Sequence, residues 1–152
     1  MSATIREQII TAYLTRLAAW TSTGFNHNCG ESVHRASPHI DQSSLPACVL
    51  WPQPEEATQE YGHNVCTMTF KVEALAVVDE DENGSEIQEQ LLGDVIKIMT
   101  DPAVTVTVLT DSIQYRNGGP SGAQNPEQTI TGISAEFELK YQTLIGNPYL
   151  QE

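Results

Sequence analysis

Three histidines and a cysteine, His27, Cys29, His34 and His39, fall within thirteen positions of one another. Imidazole and thiolate are the side chains that zinc takes in a tetrahedral site. A chain organised around them would be a small metal- or ligand-binding protein. Their spacing matches no usual ligand pair, however, and the stretch around them has no period that would preorganise a site. The acids Asp79 to Glu82 invite a calcium reading. They lack the alternating oxygen ligands, central glycine and distal bidentate Glu of such a loop, so a solvated turn is expected.

Other chemistries need signatures that are missing. Gly118, Gly119 and Gly122 have neither the strand-to-helix context nor the lysine of a phosphate loop, and read as a hairpin tip. There is no Gly-x-Ser-x-Gly elbow, His-Glu-x-x-His pair or Cys-x-x-Cys. The lone His63, beside Gly62, reads as a loop residue. The expectation is a non-enzyme with no catalytic residue, no cofactor and no metal.

Twenty Asp and Glu oppose seven Lys and Arg, a net charge of -13. Such a surface repels phosphate backbones and forgoes the counterion release that drives nucleic-acid binding, so no specific nucleic-acid partner is expected. The 152 residues suit one domain, spanning 1–152, with a single core. No apolar run approaches the ~20 residues of a membrane span, and the N-terminus has no basic start followed by an apolar stretch, so a cytoplasmic protein is expected. Cys29, Cys48 and Cys66 fit no disulfide framework; Cys48 and Cys66, in apolar strand-like segments, read as small buried hydrophobes.

Periodicity supplies the elements. Ile5, Ile9, Tyr13 and Leu17 recur every four residues, predicting an amphipathic helix over 4–20, with Thr4 and Glu7 at capping-box spacing. Residues 21–45 show no period and read as a long loop or arm, of the sort that becomes ordered on a partner. Ala47 to Trp51 reads as a strand leading into an acidic loop with Glu55, Glu56 and Glu60. Cys66, Met68, Phe70, Val72, Ala74 and Ala76 alternate with Val65, Thr67, Thr69, Lys71 and Glu73, a long strand over 65–78. A second helix is expected over 86–100, capped by Ser85 with Gln88. Val104, Val106 and Val108 suggest a third strand running on to Tyr115, then a flexible Asn117–Pro126 connection. Ile133, Ala135, Phe137, Leu139 and Tyr141 make the last strand. Together these predict an α+β fold: a mostly antiparallel sheet of about four strands with two helices packed on one face.

The layout resembles the tail terminator, or minor tail protein, family of long-tailed bacteriophages and prophages. The resemblance rests on "ATIREQIITAYLTRL", "PACVLWPQPEE", "CTMTFKVEALAVV", "DENGSEIQEQLLGDVIKIM" and "GISAEFELKYQTLIGNPY". It implies a structural subunit that joins copies of itself, as a hexameric ring, to the end of the tail tube protein, stops tube polymerisation and offers a head-joining surface to a head-completion or neck protein. A neck or head-completion protein is the alternative within the same class. It also implies assembly in the host bacterial cytoplasm and residence in the virion tail, with DNA passing through the ring. Glu55, Glu56 and Glu60 are then candidates for its lumen or tube-facing side, where carboxylates would repel passing DNA.

Overall fold

The computed structural model describes residues 3–37, 40–102, 106, 108, 110–121 and 129–151. Helix α1 spans Ile5–Leu17 and helix α2 Gly84–Met99; the strands are β1 (Val33–Arg35), β2 (Ala47–Pro52), β3 (Glu56–Glu60), β4 (His63–Val77), β5 (Gln114–Pro120) and β6 (Ile130–Leu144). They form one six-stranded mixed sheet in the order β1-β2-β4-β6-β5, with β3 alongside β4. Only β1 and β2 run parallel. The α+β class is as expected, with two more strands than the sequence suggested.

The fifteen-residue strands β4 and β6 pair along their full lengths, His63 opposite Leu144 and Val77 opposite Ile130. Directly opposed residues share a face, so Cys66, Met68, Phe70, Val72 and Ala74 line up with Tyr141, Leu139, Phe137, Ala135 and Ile133. Both helices join this face in a single core: Ile5, Ile9, Ile10, Tyr13 and Leu17 from α1, and Ile87, Leu91, Val95, Ile98 and Met99 from α2. Tyr13 and Phe70 meet as tilted rings 5.4 Å apart. All three cysteines are buried and free. Burial lifts the Cys29 thiol well above its ordinary range and pushes Cys48 up to about 12. No helix among the described residues is long and apolar enough to cross a membrane.

Several elements differ from expectation. Thr4 does cap α1, its hydroxyl accepting from the Glu7 amide at 3.0 Å, but the Glu7 carboxylate turns away to Arg35 at 2.6 Å instead of completing the box. Asn83, not Ser85, caps α2, accepting from the Ser85 and Glu86 amides. The "acidic loop" is strand β3, antiparallel to β4 and joined to it by a tight turn, and His63 is the first residue of β4. Asn117–Pro120 lies in β5 on the edge of the sheet, not in a flexible connection, and the Ser121 amide still donates to the Gly132 carbonyl at 3.0 Å; Gly122 to Pro126 of that expected connection, and Val104 of the expected third strand, fall outside the described residues. Val106 and Val108 belong to no strand, and the chain re-enters the sheet through a Thr110–Tyr141 bridge.

Residues 21–45 are not an untethered arm. They hold a 3-10 turn (Cys29–Glu31), strand β1 and a second 3-10 turn (Gln42–Ser44). Asp94 of α2, only 3 % exposed, organises the segment's start: it accepts from the Trp20 indole at 3.1 Å, the Asn26 amide and side chain, and the His27 amide at 3.0 Å. Gly30 then closes onto the end of α1, where a Cβ would come within 2.6 Å of the Ala18 and Trp20 carbonyl oxygens.

Candidate functional surface

The side of the sheet away from the helices carries the other half of every alternating pattern. Its residues fall into rows across the strands: Val49, Glu73 and Ser134; Trp51, Lys71 and Glu136; Glu56, Thr67 and Lys140; Thr58, Val65 and Gln142. None of these belongs to the hydrophobic core cluster. Some charges on this face have partners: Lys71 with Glu73 at 3.4 Å, Arg116 with Glu138 at 3.0 Å, and Glu136 accepting from the Asn117 side-chain amide at 3.0 Å.

The three acids singled out in the sequence part company here. Glu56 and Glu60 sit opposite Thr67 and His63, on the open face, exposed and in no ion pair among the described residues. Glu55 lies just before β3 and turns toward the helical side. There the Tyr141 hydroxyl donates to it at 2.5 Å and Arg6 of α1 stands at 3.5 Å, while Arg6 also donates to the Gln53 carbonyl at 2.6 Å. Burial, and then the bond to Glu55, hold the Tyr141 hydroxyl well above the usual tyrosine range; burial and the Glu55 charge raise the neighbouring Cys66 thiol. Glu55 therefore works as an internal latch between α1, the β2–β3 crossover and β6. The spacing of three glutamates concealed this, because β-strand alternation begins only at Glu56.

Among the described residues no group of three or more His, Cys, Asp or Glu could hold a metal ion. His27 bonds to Gln90 at 3.0 Å, His34 to Ser32 at 2.8 Å, and Cys29 is buried in the core with its thiol proton held by burial. His39 lies outside the described residues. An open cleft of about 400 Å³ does collect His63, Val65, Thr110, Asp111, Lys140 and Gln142. It arises beyond the Gln114–Glu138 end of the β5–β6 pairing, where the chain ahead of β5 meets β6 through the Thr110–Tyr141 bridge and the Asp111 amide, which donates to the Lys140 carbonyl at 2.9 Å.

These features define a two-layer α+β protein with helices on one side of the sheet and a charged, largely uncovered strand face on the other. No family model and no curated protein matches the chain. A solved structure does: a chain described as "Virion of native gene transfer agent (GTA) particle" superposes with a TM-score of 0.51 at 12% identity, covering 83% of this chain and 84% of that one. At that identity the likeness is one of fold, and it spans nearly the whole of both chains.

Proposed function

We propose that the chain is a non-catalytic structural subunit of a virion, and more particularly a tail-terminator-like protein. In this reading copies form a ring, hexameric in the family it resembles, that caps the tail tube, ends its polymerisation and presents the surface to which the head is joined. The observation that carries the reading is the fold shared with a chain of the gene transfer agent virion over 83% of this chain's length. The five stretches on which the tail-terminator resemblance rests add support, because they coincide with α1, β2, β4, α2 and β6, the elements that build the core.

The open sheet face is the candidate for the ring's working surface. Glu56 and Glu60, in no ion pair among the described residues, are the acids to place toward the lumen or tube; at Glu56 that charge keeps a passing polyanion from adhering. Glu55 is committed internally and takes no part.

The test is electron microscopy of particles assembled without this protein. Tails of uncontrolled length, found apart from filled heads, are the expected result. Tails of normal length attached to heads would overturn the terminator reading, and normal tails ending short of the heads would favour a neck or head-completion role.

A further inference from the structure

One end of the sheet gathers most of the exposed apolar surface. The chain passes from β3 to β4 through Tyr61 and Gly62 alone, both at positive φ (48° and 83°). Two-residue hairpin turns of this hand favour Asn, Asp or Gly at the first position; a tyrosine there strains the backbone. The ring gives nothing back to the fold, since Tyr61 is 101% exposed. Strain held without local benefit is a mark of a functional position.

The C-terminal turn lies against this tip. Ile145 donates its amide to the Gly62 carbonyl at 3.3 Å, Leu144 donates to Leu150 at 2.9 Å, and Pro148 is anchored by the Ile5 amide at 2.9 Å. Ile145, Tyr149 and Leu150 are all exposed, so four of the six large apolar side chains exposed among the described residues sit at this pole. A grouped apolar patch of this kind marks a protein contact, and tyrosine is prominent among residues that dominate interfaces.

Charge identifies the occupant. The patch is edged by an acid, Glu60, next to Tyr61 on β3, exposed and in no ion pair among the described residues. Of the chain's seven Lys and Arg, Arg6, Arg16, Arg35, Lys71 and Arg116 are bound to carboxylates. Lys97 donates to the Gly24 carbonyl at 2.7 Å and lies over the Phe25 ring. Lys140 alone has no side-chain partner among the described residues, so a second copy at -13 offers little basic counter-rim. We propose that the Tyr61 turn is a docking knob for a different virion protein, one offering an apolar socket edged with Lys or Arg. This rests on the reading of the chain as a virion subunit.

The experiment uses the purified full chain and two probes, the tail fraction and the head fraction of particles assembled without it, with binding followed by co-sedimentation. Tyr61→Asn suits the turn while removing the ring. Wild type is expected to bind one fraction, more weakly as salt rises; Tyr61→Asn should lower that affinity by roughly ten-fold or more without lowering the melting temperature. Val77→Thr, altering an exposed side chain at the opposite end of β4, should bind as wild type does. Binding of Tyr61→Asn equal to wild type would overturn the inference. So would loss of self-association by Tyr61→Asn with binding to the fraction intact, since the socket would then belong to a second copy. If wild type binds neither fraction, the virion reading itself fails.

Discussion

Asp94 puts a charge where the helical period calls for an apolar side chain: it stands three residues after Leu91 and four before Ile98, on the buried face of α2. Burying a carboxylate is tolerable only where donors replace water. Here the Trp20 indole, two backbone amides and the Asn26 side chain do so. Asp94→Ala would leave those donors without an acceptor, and we expect a loss of about 3–5 kcal/mol in urea unfolding. Asp94→Asn, which keeps one acceptor oxygen, should lose markedly less. Amide exchange of residues 20–30 should accelerate most in both variants. An acid inside an apolar stripe is visible in the sequence, but its partners are not, because Trp20 and Asp94 are 74 positions apart.

At the scale of elements, the strands that escaped sequence reading are those at the edges. β3 reads Glu-Ala-Thr-Gln-Glu and all five residues are exposed, so neither face imposes alternation. β5 contains Asn117, Gly118, Gly119 and Pro120, residues that spell a turn elsewhere and are tolerated in a strand only at an edge. β4 and β6, each with one face in the core, announced themselves within three residues at either end. Position at the edge also leaves β3 weakly held, by β4 and by the Glu55 latch behind it. Tyr141→Phe removes the hydroxyl that closes the latch. Because Glu55 is partly solvated, the expected cost is modest, about 1 kcal/mol in thermal melts. Exchange of the Glu56–Glu60 amides should quicken while that of α2 stays unchanged.

For the whole molecule the dominant long-range property is charge. With -13 per copy and six of seven cations committed internally, copies repel at a distance. The screening length falls from roughly 10 Å at 0.1 M salt to roughly 3 Å at 1 M. Raising salt should therefore promote self-association of the isolated chain, as read by sedimentation velocity. Docking through the acidic rim of the Tyr61 turn has the opposite sign. A ring that strengthens with salt while partner binding weakens would separate the two interfaces in one titration; self-association that falls with salt would instead require a charge-complementary contact between copies.

The sequence by itself determined the layer structure: two amphipathic helices and two long alternating strands could hide their apolar faces only against one another, and their local periods record that requirement. It also determined the acidity, a net charge of -13 that repels phosphate backbones. Tertiary structure alone decided which acids are free and which are bound. Glu55, Glu56 and Glu60 are chemically alike and nearly adjacent, yet Glu55 is held by Tyr141 and Arg6 while the other two face solvent. It likewise dispersed His27, Cys29 and His34 and ordered the segment around them upon Asp94. Such outcomes depend on residues distant along the chain, and no local period encodes which of them will meet.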